Sequence, residues 1–239
     1  MRTNKLVRDI RGELKFHARK KNVIGAKQFF REEVWVYGVP TPAVKRIARN
    51  YAKRFNSDGD IGTAFSVAEK LLGSTNLEEG VVAIYMIRSF SKHFDHSLFP
   101  LFDQWVEYLT NWAHTDGLSV WIIGEVVRKS PEKISDLLRW TSSRNRWRRR
   151  AAAVALIPLA RRGLHFTKIL RLANRLMRDR DDMVQKGVGW LLKECSMSQP
   201  EEIVRYLLRW KGKTSSVTMR YACEKLPPSK RKLLINVRP

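Results

Sequence analysis

Apolar residues recur along this chain at intervals of three and four, the spacing of one helix face. Leu6, Ile10, Leu14 and Ala18 form one stripe, and Val44, Ile47, Ala48, Tyr51 and Ala52 form another. The second stripe follows Thr41-Pro42, a pair suited to an N-cap and a first-turn proline. Ser130-Pro131 repeats that device ahead of Ile134, Leu137 and Leu138. Strand-like alternation is nearly absent, so the pattern predicts an all-α protein. Two segments are apolar nearly all round. Residues 151–160 read AAAVALIPLA, with Pro158 expected to kink or break the helix, and residues 187–192 read GVGWLL. Helices without a polar face are covered on several sides, which places these two in the inner layer of a stack.

The pattern also repeats. Arg149-Arg150-Ala151-Ala152, Gln185-Lys186-Gly187-Val188 and Met219-Arg220-Tyr221-Ala222 share a basic residue followed by small or apolar ones. Glu79-Gly80-Val81-Val82 and Gly117-Leu118-Ser119-Val120 have a similar apolar onset without the basic residue. The starts recur at roughly 34 to 37 residues, the range of two-helix repeats. The expected fold is a HEAT-like helical-repeat solenoid, one domain over residues 1–239 with about six helix pairs, its inner helices lining a basic concave face. Arg150, Lys186 and Arg220 would hold equivalent places on that face. The tail, residues 227–239, is basic and expected to be partly loose.

Charge turns this scaffold toward a partner. Of 239 residues, 46 are Lys or Arg and 23 are Asp or Glu, a formal net charge of +23. Such self-repulsion costs stability unless a polyanion offsets it, and nucleic acid is the expected polyanion. The basic residues are spread along the chain rather than clustered beside an apolar segment, which disfavours a membrane surface. No apolar run approaches the ~20 residues that cross a bilayer, and the first fifteen residues lack a signal peptide's apolar core. Two cysteines, Cys195 and Cys223, make no disulfide framework and no CxxC zinc pair. His17, His93, His96, His114 and His165 form no convincing metal set, so no metal or cofactor is expected. Phosphate loops, GxSxG and HExxH are missing, which disfavours nucleotide hydrolases, serine hydrolases and zinc proteases.

Three segments could carry chemistry. In Trp112-Ala113-His114-Thr115-Asp116, Asp116 is either a functional carboxylate or the N-cap of an apolar helix over 118–127, and Trp112 either functional or core packing. Residues 144–150 hold five arginines, Arg144, Arg146, Arg148, Arg149 and Arg150, at a helix start; they read as a phosphate site rather than a solvated face. In Gln185-Lys186-Gly187-Val188-Gly189-Trp190, two helical glycines cost about 1 kcal/mol each relative to alanine. They make sense where something approaches the backbone closely, or where Trp190 packs in a tight inner helix.

Taken together, these segments resemble the AlkD-type DNA alkylation repair family, DNA glycosylases built from HEAT-like repeats. Trp112 with Asp116 is similar to the family's Trp-x-x-x-Asp segment. Arg150, opening RAAAVAL, is similar to its arginine before a small-apolar helix, and Trp190 in QKGVGWLLKE to its most specific helix. Phe29-Phe30 through Tyr37-Gly38-Val39-Pro40-Thr41-Pro42 resembles its Gly-x-x-Thr-Pro turn. The resemblance covers most of the chain. The departures are Ala113, where the family often carries a polar or acidic residue, and Phe29, where some members have Tyr; both bear on lesion preference.

The resemblance implies a monofunctional glycosylase that excises positively charged N3- and N7-alkylated purines in base excision repair. Asp116, Trp112 and Trp190 would be catalytic. Arg150 would hold a flanking phosphate, with Arg148, Arg149, Lys186, Thr41, Lys45, Arg46, Arg161 and Arg162 as further DNA contacts. The implied partner is double-stranded DNA containing alkylated bases, met by a cytoplasmic, nucleoid-associated monomer. The alternative is a non-catalytic helical-repeat scaffold that binds nucleic acid.

Overall fold

A computed structural model describes residues 2–235. Every regular element among them is helical, as the apolar spacing predicts. The stretch read as a single domain divides into two compact units, Met1–Ile122 and Ile123–Pro239.

In the first unit, α1 (Arg2–Phe16), α4 (Ile61–Gly73) and α6 (Phe99–Trp105) pack in sequence, and α5 (Leu77–Arg88) packs against α3 (Thr41–Ser57), α4 and α7 (Trp112–Leu118). Leu6, Ile10 and Leu14 are buried, whereas Ala18 lies beyond the helix end and is exposed. All five residues of the second stripe are buried in α3. Thr41 is the first residue of α3 rather than its cap; Pro40 holds the cap position and Pro42 the first turn. Between them, α2 (Lys20–Phe29) buries none of its residues.

In the second unit, α10 (Arg146–Val154), α13 (Asp182–Ser198) and α15 (Ser216–Ala222) are successive neighbours. Outside them run α9 (Ile134–Trp140), α12 (Phe166–Leu176) and α14 (Pro200–Trp210). α8 (Gly124–Lys129) packs on α11 (Ile157–Ala160). Pro158 breaks the apolar run as expected. It cannot donate to Val154 and its ring crowds that carbonyl, so α10 stops at Val154 and α11 restarts with Pro158 in its first turn. Within the basic tail, α16 (Pro228–Leu234) buries Leu234 and packs on α14, while residues 236–239 lie outside those described.

The repeat is written most clearly in the helix caps. Asn76, Asn111, Asn145, Asp181 and Ser215 each accept a backbone N–H at the start of α5, α7, α10, α13 and α15, at spacings of 35, 34, 36 and 34 residues. Each satisfies donors a helix start leaves open. This register puts Lys45, Val81, Asp116, Arg150, Lys186 and Arg220 at the fifth residue of their helices. Arg150, Lys186 and Arg220 are therefore equivalent, as expected. The onset near Gly117, however, was offset by two residues, and Asp116 shares the position of the basic residues.

The two helical glycines of α13 are explained by protein, not ligand. A Cβ on Gly189 would lie 2.4 Å from Tyr221 Cβ and 3.0 Å from the Thr218 carbonyl of α15, and one on Gly187 3.1 Å from Arg150 Cγ of α10. They let three inner helices approach. Cys195 and Cys223 are buried and unbridged; burial pushes their thiols up to about 12 and about 11. No helix among the described residues is long and apolar enough to cross a membrane.

Candidate functional site

Asp116 is not a cap. Asn111 caps α7, with Oδ1 accepting from His114 N at 2.9 Å, and Thr115 Oγ1 closes the turn on the Asn111 carbonyl at 2.8 Å. Asp116 sits inside the helix, half-buried, one turn after Trp112 and on the same face. The Trp112 ring stacks on Phe30 with centroids 5.2 Å apart and meets Phe29 edge-on at 5.7 Å. Trp112 is thus half-buried, its packing partners coming from the end of α2. Immediately after α7 the chain widens into a π turn, Ser119–Ile123, a geometry over-represented at functional sites.

His114 fixes the start of α7 against α5. Its Nε2–H donates to the Leu77 carbonyl at 2.9 Å, and Nδ1 faces the Asn111 amide at 3.1 Å. Burial holds its pKa down at about 4, so the ring is neutral near pH 7. An unfolded histidine protonates near pH 6.5, and the folded chain resists that proton. Full stability is therefore present above pH ~6.5 and is lost towards pH 4 at about 1.4 kcal/mol per unit. In denaturant unfolding, His114→Gln should cost clearly more at pH 7.5 than at pH 5; an equal cost at both would exclude this linkage.

The Gly-x-x-Thr-Pro turn is held to the same end of α5. Glu78 accepts from the backbone N–H groups of Tyr37, Gly38 and Val39 at 3.0, 2.8 and 3.0 Å. Glu79, fully buried, receives Arg11 through Nε and Nη2 and the Tyr37 hydroxyl at 2.6 Å. Gly38 is needed here: its φ is +88°, and a Cβ would lie 2.6 Å from the Arg19 carbonyl. Of the residues assigned to DNA from this region, Thr41 and Lys45 are exposed, with Lys45 Nζ 5.2 Å from the Tyr85 ring centre. Arg46 is also exposed but turns to His17, 3.1 Å away.

In the second unit the arginine run divides by face. Arg149 reaches the Asp179 carboxylate at 2.6 and 3.2 Å and the Ser143 carbonyl at 2.9 Å. Arg146 pairs with Asp181 at 3.3 Å. Arg148 lies over the Trp140 ring at 5.1 Å. Arg150 is buried, donating to the Met183 carbonyl and passing over Gly187. Part of the run's charge is therefore spent inside the protein. Lys186 is paired with Asp182 at 2.6 Å, whereas Arg162 and Arg220 are exposed.

Trp190 is held by a residue the sequence reading passed over. Its Nε1–H donates to Glu194 Oε1 at 2.8 Å, and Glu194 Oε2 accepts from Arg161 Nε at 2.9 Å. Burial alone would raise the Glu194 carboxyl, but the Arg161 and Trp190 hydrogen bonds outweigh it and hold the group below its usual range. The i,i+4 spacing of Trp190 and Glu194 was the available signal. Arg161 thus reaches Trp190 through Glu194 while its side chain stays half-exposed. No group of His, Cys, Asp and Glu suited to a metal occurs among the described residues.

The model of a family described as DNA alkylation repair enzyme matches residues 10–226. A solved structure described as a predicted DNA alkylation repair enzyme from Enterococcus faecalis has a TM-score of 0.75 at 17% identity, covering 90% of this chain and 99% of its own. AlkD2 from Streptococcus mutans has a TM-score of 0.54 at 17% identity, with coverages of 93% and 98%. The smu.31 protein of Streptococcus mutans UA159 has a TM-score of 0.53 at 18% identity, with coverages of 77% and 100%. At these identities the likeness is one of fold. No curated protein sequence matches the chain.

Proposed function

Because the chain belongs to the DNA alkylation repair enzyme family, we propose that it is a monofunctional DNA glycosylase for positively charged N3- and N7-alkylated purines. The observation that carries this reading is Asp116: half-buried in α7, one turn from Trp112, and relieved of capping by Asn111. A carboxylate among so many cations is a choice the fold does not require, since the equivalent helix positions hold Val81 and the cations Lys45, Arg150, Lys186 and Arg220.

Alkylation leaves a formal positive charge on the purine, so the base departs as a neutral molecule and needs no strong acid. The remaining task is to stabilise positive charge as it grows on the deoxyribose. The Asp116 carboxylate does this electrostatically and positions or activates the attacking water. The C1′–N bond breaks with its electrons going to the base. Water adds to C1′, and its proton is lost to the carboxylate or solvent. Trp112 offers an indole face to the same cationic sugar, steadied by Phe29 and Phe30. Trp190, oriented by Glu194, has the matching duty by the family resemblance, and Arg150 that of a phosphate contact. The family pattern places no lysine as an amine nucleophile, so the expected product is an intact strand with an abasic site. The protein acts on double-stranded DNA as a monomer, in the cytoplasm and among the nucleoid.

The test is purified protein with duplex DNA carrying N7-methylguanine or N3-methyladenine. Free methylated base and an alkali-labile abasic site are expected. Salt-sensitive binding with no base release from either lesion would replace the enzyme with a nucleic-acid-binding scaffold.

A further inference from the structure

We infer that Lys45, Tyr85, Trp121 and Arg88 form a preordered phosphodiester-binding array on the inner helices of the first unit; this rests on the reading of duplex DNA as the partner. The four side chains come from α3, α5 and the π turn after α7. Lys45 Nζ lies 5.2 Å from the Tyr85 ring centre, and Tyr85 meets Trp121 edge-on with centroids 5.0 Å apart. Arg88 Cζ lies 4.5 Å from the Trp121 centre. The array is continuous with α7, since a Cβ on Gly117 would lie 3.5 Å from the Trp121 ring. Tyr85 and Trp121 are half-buried, while Lys45 and Arg88 are exposed.

The manner in which these cations are held sets them apart. Arg11, Arg149, Arg161 and Lys186 are each neutralised by a carboxylate. Among the described residues, no carboxylate pairs with Lys45 or Arg88, and neither the Tyr85 hydroxyl nor the Trp121 indole N–H has a hydrogen-bond partner. The rings restrain the cations without cancelling their charge. Four donors thus stand together with their side-chain entropy already reduced, which lowers the cost of binding. Two positive charges and two neutral donors suit the oxygens of a sugar-phosphate backbone. The aromatic faces suit its sugars. The π turn has a purpose in this arrangement, because it sets the rotation at which Trp121 leaves the helix after Asp116.

Binding of an undamaged duplex, followed as a function of salt, tests the array apart from catalysis. Arg88→Ala and Lys45→Ala should each reduce the slope of log affinity against log salt by about 0.9, one phosphate contact each. Trp121→Leu keeps both charges, so it should leave the slope nearly unchanged and weaken binding roughly 2- to 5-fold. Arg205→Ala, whose arginine already pairs with Glu202 at 3.1 Å, should change neither quantity. Where Trp121→Leu unfolds, Trp121→Phe replaces it and should bind within about 2-fold of wild type. Arg88→Ala and Lys45→Ala proteins that fold and bind with unaltered slope and affinity overturn the array. Wild-type protein that binds no duplex overturns it together with the DNA reading. Duplex binding without base release removes only the glycosylase.

Discussion

Asp116→Asn protein should release N7-methylguanine on the order of 10²–10³-fold more slowly than wild type, while still binding duplex DNA. The substitution keeps the shape of the side chain and removes its charge. The amide cannot offset positive charge on the sugar, and it is a poor acceptor for the proton of attacking water. Binding should hold or tighten, because one negative group is lost from a chain of formal charge +23. The thermal transition should move little, since Asp116 does not cap α7; Asn111 does. The measurement is single-turnover base release beside duplex affinity. Equal release by the two proteins would take Asp116 out of the chemistry. Equal losses of release and binding would make it structural.

The largest effect on stability is expected at Gly80. This residue lies in α5 against the imidazole of His114, and a Cβ there would sit 2.3 Å from Nε2 and 2.4 Å from Cε1. The ring cannot give way, because Leu77 and Asn111 hold its two nitrogens and it is fully buried. Gly80→Ala should therefore separate α5 from the start of α7, at a cost of about 3 kcal/mol. Gly25→Ala is the internal comparison. Gly25 is also helical, in α2, but nothing lies within 4 Å of its Cβ position. There alanine should stabilise by about 0.5–1 kcal/mol through helix propensity alone. Urea unfolding of both variants decides the matter, and two shifts of the same sign would contradict the packing argument. Because α7 carries Trp112 and Asp116, any Gly80→Ala protein that folds should also lose base release.

The helices were legible because their apolar stripes are strong and their breakers act locally. Pro158 ended α10 through its missing N–H, and Val44 to Ala52 marked a buried face directly. The register of the repeat was legible only in part. Small residues gave the right alignment for Arg150, Lys186 and Arg220 but misplaced the repeat at Gly117 by two residues. The polar caps Asn76, Asn111, Asn145, Asp181 and Ser215 carried the rhythm more faithfully, since a helix start needs a side-chain acceptor whatever packs behind it. Pairings across many residues left no local trace. Nothing near Glu78 announces that it gathers three N–H groups from residues 37–39, and nothing near Gly189 names Tyr221 as its neighbour. The arginine run illustrates the same gap. Its charge was visible, but the partners that claim Arg146 and Arg149 lie 35 and 30 residues further on, at Asp181 and Asp179.

The state of the two thiols matters to a member of a DNA alkylation repair family. Thiolate, not thiol, is the form that attacks carbon electrophiles. Burial raises Cys195 and Cys223 well above the ordinary thiol range, so the thiolate is scarce near pH 7. Both sulfurs are also shielded from solvent. Burial thus keeps both cysteines in the form that reacts least with alkylating agents.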